Sequence, residues 1–403
     1  MKQEFPLITI KKKGSSIREI DFPSWGAGTI PKPILVNRSL LVSEGMTEAR
    51  SLAAKGNIVL WVENTVGEAQ EVYENFLKGG ANLSLGILHS RFLSQHRHNK
   101  EQTWVNRLGK GGNRSSGAIL VSTQVCEQSL DIDADALFTN LCPSDMLLQR
   151  VGRMWRHRQN DQLRKVPYPV IHLRTVPDSL LLEANSLTGV KKDMIEVQKK
   201  WGKTSYVYDL YTLCRAAAVW GNIDSITLPN DLRALLDLTY GSNPTVLPFS
   251  ALKVLMDNEC QRLQSLTRVN LNTGALFSAA PHISLSDEER GPGTRDITDG
   301  TVKACLLSSP GVTLLGKPVG YPSGNRAETK RDILLSSLSL PAKSVKLLGT
   351  SLLQGDDPKG IKGDKYTRSV LMKKVGGSWV PLDALSGKVI PDMYYNEDKG
   401  WLQ

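Results

Sequence analysis

The chain has 403 residues, a formal net charge of +10 and 40% hydrophobic residues. This length accommodates two or three domains with a sizeable core, and the positive charge favours a polyanionic partner. The five cysteines form no CxxC pair, and no apolar run reaches the roughly 18 residues of a membrane span. The composition thus argues against a zinc site and a membrane protein and favours a cytoplasmic location with reduced thiols.

Apolar runs with high β-propensity alternate with helical stretches through the first part of the chain. The predicted strands are Phe5–Ile10, Pro33–Asn37, Asn57–Val62, Leu83–His89, Ala118–Thr123, Ala136–Asn140 and Tyr168–Leu173. The predicted helices between them are Thr47–Ala54, Val66–Leu77, Ser94–Leu108 and Met146–Arg156. This alternation predicts an α/β lobe over residues 1–175, with a parallel sheet covered by helices on both faces.

The pattern changes after this lobe. Helical spacing of leucines and lysines predicts a helical region over residues 176–290, and its predicted helices are Leu180–Trp201, Tyr206–Val219, Asp231–Leu238 and Leu252–Leu266. Asp287–Gly300 is rich in Pro, Gly and charge and is interpreted as an exposed linker. Residues 291–403 are predicted to hold a small α+β domain, with a strand at Val302–Leu307, a helix at Asp332–Leu340 and short strands near the end.

Two segments about 25 residues apart carry the most informative chemistry. Ser122–Asp133, STQVCEQSLDID, follows a predicted strand, and Gln149–His157, QRVGRMWRH, lies on a predicted helix that starts near Pro143 and Ser144. Positions three and four apart share a helix face, so we expect Gln149, Arg153 and Arg156 to lie together. Two arginines on one face suit a phosphate. The alternative is a basic helix that faces water.

This pair of segments resembles motifs V and VI of superfamily 2 helicases. The closest likeness is to the helicase–nuclease of type I CRISPR interference, and Thr123–His157 follows that family almost position by position. Gly293–Leu307, Leu334–Pro341 and Tyr394–Leu402 resemble its linker and C-terminal region more loosely. The resemblance implies a second RecA-like lobe followed by that family's C-terminal region. Another superfamily 2 helicase remains an alternative.

The resemblance also implies roles for residues near the nucleotide. Arg153 and Arg156 would act as arginine fingers, which stabilise the charge that develops on the γ-phosphate. Gln149, Gly152 and Asp131 would bind ATP. Asp131 and Asp133 could instead be turn-forming aspartates. We expect Glu127 to hold its loop and His157 to be structural.

Three loops that follow predicted strands are candidates for contact with nucleic acid. By resemblance to the family's motifs, the predicted binding residues are Asn64, Thr65, His89, Ser90, Arg91, Thr123 and Gln124. Loops at the carboxyl ends of parallel strands are where α/β proteins place their ligands. A helix N-cap is an equally good interpretation of Asn64 or Thr65. A surface arginine after a strand is also common, so Arg91 taken alone is a weak signal.

The sequence shows no GxxxxGK[ST] loop, no DEAD-like or DEAH-like tetrapeptide and no HD dipeptide. Gly109–Gly117 contains Gly-Lys without the following Ser or Thr and is interpreted as a flexible basic loop. We expect no metal site, because His89, His96 and His98 lie on or beside a basic helix where solvated side chains are the better interpretation. The nuclease centre is expected to be absent, and ATP and Mg²⁺ would be bound mainly by a first lobe that this sequence lacks.

These expectations combine into one functional hypothesis with an alternative. The chain would be the second motor lobe of an ATP-dependent single-stranded-DNA helicase in CRISPR interference, inactive by itself. Its expected partners are single-stranded DNA, a CRISPR surveillance complex, and a chain that carries the first lobe and possibly an HD nuclease. Either a split helicase or a truncated product fits this pattern. The alternative is a non-catalytic module, derived from a helicase, that binds DNA or a partner.

Overall fold

The computed structural model of the chain describes residues 7–10, 14, 16, 18–21, 32–39, 41–79, 84–114, 116–127, 130–188, 191–241, 245–258, 260–261, 302–319, 326–353 and 367–403. The predicted linker Asp287–Gly300 and part of the predicted helix Leu252–Leu266 lie outside these residues.

The first half of the chain forms one large sheet, and its first two strands pair with each other separately. In chain order the strands are β1 (Leu7–Ile10), β2 (Arg18–Asp21), β3 (Ile34–Ser39), β4 (Ile58–Val62), β5 (Ser84–Leu88), β6 (Ala118–Ser122), β7 (Ala136–Asn140), β8 (Val170–Arg174) and β9 (Ser225–Ile226). The seven-stranded sheet has the order β5-β6-β4-β7-β8-β3-β9. All its pairings are parallel except that of β9 with β3. This confirms the predicted parallel sheet.

Helices cover both faces of this sheet. They are α1 (Val42–Ala54), α2 (Val66–Lys78), α3 (Ser94–Leu108) and α4 (Ser144–Val151). Every residue of β4 is buried, and alternate side chains enter opposite cores. Leu60 belongs to the core that includes α3 and α4, and Trp61 belongs to the core beneath α1 and α2. Burial on both faces explains why the strand is a continuous apolar run.

A helical layer follows the sheet and enlarges the first of these cores. It contains α5 (Asp178–Asn185), α6 (Lys191–Lys200), α7 (Leu210–Trp220), α8 (Leu232–Tyr240) and α9 (residues 250–258). Most of α7 is buried, and the indole Nε1 of Trp220 donates to Ser144 Oγ at 2.9 Å. The layer is therefore packed on α4 rather than held at a distance.

A second sheet forms the C-terminal part of the chain. Its strands are β10 (Val302–Ser309), β11 (Val312–Thr313), β12 (Ser337–Leu340), β13 (Arg368–Val375), β14 (Ser378–Pro381), β15 (Tyr394–Asn396) and β16 (Gly400–Leu402). The strand order is β11-β10-β13-β14-β15-β16, and β12 pairs with β10. Two helices accompany it, α10 (Arg326–Leu335) and α11 (Ala342–Leu348). The fold class is therefore α/β with a smaller α+β part, as predicted. The predicted boundaries near residues 175 and 290 stay predictions.

Four predicted elements differ from the structure. The predicted helix Leu180–Trp201 is divided into α5 and α6, and residues 186–188 between them are not helical. The strand β1 does not join the large sheet but pairs with β2 in a separate two-stranded sheet. The predicted helix Asp332–Leu340 ends at Leu335, because Ser337–Leu340 pairs with β10 and buries Leu338 and Leu340. The predicted helix Met146–Arg156 ends at Val151. In the last two cases, strand-like pairing with distant residues overrides local helical spacing.

Candidate functional site

The candidate site is built on the carboxyl edge of the large parallel sheet. Asn64 and Thr65 follow β4, Ser90 and Arg91 follow β5, and Gln124 follows β6. Parallel strands bring these loops to the same edge, which is the usual ligand edge of an α/β sheet. The fold thus brings together the three loops that the sequence singled out.

Arg150 joins two of these loops to α4 and is the central residue of the site. It is completely buried. Its guanidinium Nε donates to Glu127 Oε1 at 2.7 Å, and its second terminal nitrogen donates to Asn64 Oδ1 at 2.9 Å. The remaining donors reach Thr139 Oγ1 at 2.8 Å and the Tyr208 hydroxyl at 3.2 Å. Arg150 therefore ties α4 to the loops after β4 and β6, the end of β7 and the helical layer.

The sequence prediction missed Arg150. The motif was interpreted through Gln149, Arg153 and Arg156, and the arginine between them has the same local pattern as a solvated residue. Its partners lie 86 residues away at Asn64 and 58 residues away at Tyr208. Local spacing carries no signal of such contacts.

Burial raises the pKa of Glu127, and the adjacent Arg150 opposes that rise.

The segment after α4 leaves the helix, so the predicted single helix face is wrong. The helix ends at Val151, with Gly152 as its C-cap. The backbone then pairs with Ala134: Ala134 N donates to Arg153 O at 2.8 Å, and Trp155 N donates to Ala134 O at 3.0 Å. Trp155 has a φ of +48°. Gln149 consequently lies on the helix, Arg153 lies in the turn that follows it, and Arg156 lies on the return segment, defined here as residues 154–157.

The two predicted fingers have different surroundings. Arg153 is half-buried and donates to the carbonyl oxygens of Leu130 at 2.6 Å and Glu127 at 2.8 Å. Burial lowers its pKa. Arg156 is 39% exposed, and its Nε lies 3.2 Å from Asp131 Oδ1. Arg156 is accessible to a phosphate in this arrangement, whereas Arg153 would first have to release two carbonyls.

The other residues predicted to bind ATP also lie at the surface, and one of them, Asp131, contacts Arg156. Gln149 and Gly152 are exposed, and the Asp131 carboxylate is 45% exposed. His157 Nε2 lies 2.9 Å from the same Asp131 oxygen that contacts Arg156. His157 therefore fixes a loop carboxylate, which agrees with the structural role expected for it.

A buried charge cluster supports the return segment. The Arg164 guanidinium contacts Asp133 Oδ2 at 2.8 Å and Asp135 Oδ1 at 2.7 Å, and Arg114 also pairs with both carboxylates. Asp133 Oδ1 accepts the backbone N–H of Arg156 at 2.8 Å. The interpretation of Asp133 as a simple turn former was therefore incomplete, because its partners lie about 20 to 30 residues away in sequence. The cluster fixes the backbone that carries Arg156.

The loops predicted to contact nucleic acid use several of their side chains internally. Thr65 is the N-cap of α2 and accepts the Glu68 N–H, as the capping interpretation predicted. Asn64 does not cap the helix; its Nδ2 donates to the Leu141 carbonyl at 2.7 Å. Thr123 is buried, and the Gln124 Nε2 donates to Asn64 O at 2.7 Å. Asn64, Thr123 and Gln124 therefore shape the loops, and a role in phosphate contact stays a prediction for them.

The turn after β5 exposes a different part of the site. Ser90 is exposed and Arg91 is half-buried, whereas His89 is completely buried. The expectation that His89 and His96 are solvated is wrong. His96 Nδ1 lies 2.7 Å from the Tyr395 hydroxyl, and His89 contacts the Lys399 carbonyl, so the C-terminal sheet covers both rings. His98 is exposed as expected.

The part of the chain that the structure describes contains no group of three or more His, Cys, Asp or Glu side chains placed to hold a metal ion. Within the same residues, no helix combines the length and apolar character that crossing a bilayer requires.

Comparison with known proteins finds similarity over part of the chain. Residues 55–159 match the family model described as "CRISPR-associated nuclease/helicase Cas3, C-terminal". The CRISPR-associated endonuclease/helicase Cas3 of Thermus thermophilus is 36% identical over 197 residues, which cover 46% of this chain and 19% of that protein. Its counterpart in Escherichia coli K12 is 39% identical over 131 residues, which cover 32% of this chain and 15% of that protein.

Solved structures extend the likeness in fold to nearly the whole chain. The crystal structure of T. fusca Cas3 with ATP has a TM-score of 0.70 at 21% identity, and the match covers 99% of this chain and 46% of that one. A chain in a CRISPR RNA-guided surveillance complex in a pre-nicking state gives a TM-score of 0.67 over 97% of this chain and 47% of that one. The chain thus spans less than half the length of these structures and shares their RecA-like fold.

Proposed function

We propose, from the premise that this chain carries a Cas3-type C-terminal helicase region, that it is the second motor lobe of an ATP-dependent single-stranded-DNA translocase. Its partner would be a first RecA-like lobe that carries the phosphate-binding loop and the DExH motif. The assembly would unwind target DNA for degradation in type I CRISPR interference. In this proposal the first lobe, and an HD nuclease if one is present, belong to another chain.

The observation that carries this proposal is the network of Arg150. One buried guanidinium contacts Asn64 after β4 and Glu127 after β6, and it is covalently next to Gln149, which faces solvent. A motor must couple what happens at its nucleotide to what happens at its DNA, and coupling requires a physical link between the two regions. In the proposed motor the Arg150 network supplies such a link, in addition to stabilising the fold.

The residues at the surface fit a nucleotide bound across an interface. Gln149, Gly152 and Arg156 are each exposed, and the buried cluster around Asp133 fixes the backbone of Arg156. ATP hydrolysis in the assembly would supply the free energy for movement along DNA. In the proposal Arg156, and Arg153 after release of its two carbonyls, stabilise charge on the γ-phosphate, and Gln149, Gly152 and Asp131 orient the nucleotide. Mg²⁺ would be held mainly by the first lobe.

The proposed DNA contacts lie on the same edge of the sheet. Ser90 and Arg91 offer an exposed hydroxyl and a guanidinium, and Thr65 marks the N-terminus of α2, where backbone N–H groups favour phosphate. The net charge of +10 supports the same assignment. A CRISPR surveillance complex is the proposed source of the single-stranded target.

The test is steady-state ATP hydrolysis by the purified chain, by a candidate first-lobe chain, and by their mixture, each with and without single-stranded DNA. The proposal predicts DNA-stimulated turnover only in the mixture. The alternative is a non-catalytic module that binds DNA or a partner. That alternative predicts DNA binding without any stimulation of the first-lobe chain. Turnover by the isolated chain, retained after removal of contaminating ATPases, would contradict the proposed division of labour.

A further inference from the structure

The end of the chain covers the turn that follows β5. The C-terminal hairpin, defined here as Tyr394–Leu402 (β15, its turn and β16), lies against this turn. Trp401 N donates to Arg91 O at 2.8 Å. Gln70 on α2 donates from Nε2 to the carbonyls of both Lys399 and Trp401, at 2.8 and 2.9 Å. Residues about 300 positions apart are therefore joined backbone to backbone.

His89 is the second connection between the turn and the hairpin. The backbone N–H of Arg91 donates to His89 Nδ1 at 3.1 Å, so the proton of the neutral ring lies on Nε2. That nitrogen is 3.0 Å from the Lys399 carbonyl, to which it donates. The ring also stacks on Phe92, with 4.4 Å between centroids. Burial lowers the pKa of His89 to about 3, which keeps the ring neutral, and the two hydrogen bonds set its tautomer.

The hairpin approaches the turn so closely that only glycine fits at position 400. Gly400 has a φ of +77°. A Cβ atom there would lie 2.6 Å from His89 Cε1 and 2.7 Å from Arg91 O. Two further contacts hold the hairpin in place: Lys399 Nζ lies 3.0 Å from Glu74 Oε1, and the Tyr395 hydroxyl accepts the N–H of Leu93 at 3.3 Å.

We propose that the C-terminal hairpin is a positioning element for Arg91, and that its docking sets the geometry with which the turn after β5 meets a DNA phosphate. This inference rests on the proposed function. The C-terminal hairpin engages both backbone polar groups of Arg91. The Arg91 N–H donates to His89, which in turn binds the hairpin, and the Arg91 carbonyl accepts the Trp401 N–H directly. A guanidinium on a fixed backbone loses less conformational entropy when it binds than one on a free turn. Undocking would therefore weaken DNA binding without touching Arg91 itself.

The experiment measures binding of a fluorescein-labelled oligodeoxythymidine to the full chain by anisotropy over a range of salt concentrations. The test variant is Gly400→Ala, which pushes the hairpin from His89 and Arg91. The matched control is Gly377→Ala in the turn between β13 and β14. Gly377 has a φ of +85°, and a Cβ there would meet no atom within 4 Å. The control thus introduces similar backbone strain at a residue that does not contact the turn after β5. Arg91→Ala reports the full loss of the contact.

We expect Gly400→Ala and Arg91→Ala each to weaken binding about three- to tenfold and to reduce the slope of log K against log salt by about 0.7, as for one lost phosphate contact on a single strand. Gly377→Ala should bind like the wild type. The double variant Gly400→Ala/Arg91→Ala should bind no more weakly than Arg91→Ala alone. Full additivity would overturn the proposal, because the hairpin would then act elsewhere than through Arg91.

Two further results separate this inference from the proposed function. If Arg91→Ala weakens binding and a folded Gly400→Ala protein does not, the positioning role is wrong and the DNA contact stands. If Arg91→Ala has no effect, both the contact and its positioning are wrong. Gln70→Glu, which sets a carboxylate against the Lys399 and Trp401 carbonyls, replaces Gly400→Ala should that variant not fold. Faster amide hydrogen exchange at residues 89–93, with an unchanged unfolding midpoint, would distinguish loss of positioning from loss of stability.

Discussion

Arg150 and Asn64 lie 86 residues apart in sequence, and the guanidinium of the first is 2.9 Å from the side-chain oxygen of the second. Neither side chain reaches solvent. The contact joins the helix that presents Gln149 to the loop after β4. In the proposed motor it joins the nucleotide-facing segment directly to the DNA-facing edge.

Replacing Arg150 should lower the free energy of unfolding strongly. Arg150→Ala leaves the buried carboxylate of Glu127 and the amide oxygen of Asn64 without their donor, so we expect the free energy of unfolding to fall by about 3 to 5 kcal/mol. Arg150→Lys should recover little, because an ammonium cannot reproduce the fork that reaches Glu127, Thr139 and Asn64 together. Urea unfolding followed by circular dichroism measures both variants.

The control for this prediction is Arg233→Ala. Arg233 lies on α8 and makes an exposed pair with Asp237 at 2.8 Å. Surface pairs of this kind contribute about 0.3 to 0.5 kcal/mol, so this variant should unfold almost like the wild type. If Arg150→Ala cost no more than the control, the network would not hold the site together.

Replacing the two predicted fingers by alanine should lower the free energy of unfolding by different amounts. Arg153→Ala removes two hydrogen bonds to backbone carbonyls, so we expect a loss of about 1 to 3 kcal/mol. Arg156→Ala removes an exposed contact with Asp131 and should cost under about 1 kcal/mol. Thermal and urea unfolding of both variants, side by side, provides the measurement. Equal losses would show that the two side chains do not have the different surroundings described.

Single-stranded DNA should bind weakly, with little sequence preference and a steep dependence on salt. The physical reason is release of counterions when phosphates are neutralised. Ser90→Asp places a negative charge on the exposed turn and should weaken binding about fivefold at low salt. Ser186→Asp adds the same charge at an exposed position at the C-terminus of α5, away from the carboxyl edge of the sheet, and should have little effect. Binding that ignores salt, or equal effects of both substitutions, would argue against this surface.

Acidification should lower the free energy of unfolding, because the buried histidines cannot take up protons in the folded protein. The pKa of His89 is lowered to about 3 and that of His172 to about 4, both by burial, from an ordinary value of 6.5. The unfolded chain therefore takes up protons below pH 6.5 while the folded chain does not, and stability falls as pH falls from 6.5 toward these values. At pH 5 the share of His89 is about 2 kcal/mol.

The variant His89→Gln isolates that share. Glutamine does not titrate, so the difference in unfolding free energy between pH 7.5 and pH 5 should be smaller in this variant than in the wild type by about 2 kcal/mol. His98→Gln changes an exposed ring and should leave the difference as it is. An unchanged pH dependence in His89→Gln would mean that the His89 ring is accessible to protons in the folded protein.

The sheet was predictable from sequence because its strands are buried on both faces. Ile58–Val62 and Ala118–Val121 are continuously apolar, and segments with helical periodicity lie between them. Helix ends were less predictable. Gln149–Arg156 keeps helical spacing, yet the chain leaves the helix at Val151 to pair with Ala134. Local spacing contains no information about such a partner.

The site was predictable only where its residues are close in sequence. The segments around Thr123 and Gln149 were found because each is a local motif. The partners of Arg150 and the buried pairs of Asp133 and Asp135 were missed because folding, not spacing, brings them together. The burial of His89 depends on a hairpin 310 residues further along the chain. The same histidine, seen with its neighbours alone, has the pattern of a solvated residue.

The most direct test of the central claim is DNA-stimulated ATP hydrolysis by the chain together with its first-lobe partner, using Arg156→Ala, Arg156→Lys and the control Arg233→Ala. Arg156 is expected to act mainly when charge develops on the γ-phosphate, so turnover should fall by about a thousandfold in both Arg156 variants while DNA affinity is largely kept. Arg233→Ala should behave as the wild type. A folded Arg156→Ala assembly that hydrolyses ATP within about twofold of the wild-type rate would contradict the assignment of this lobe as the supplier of the fingers.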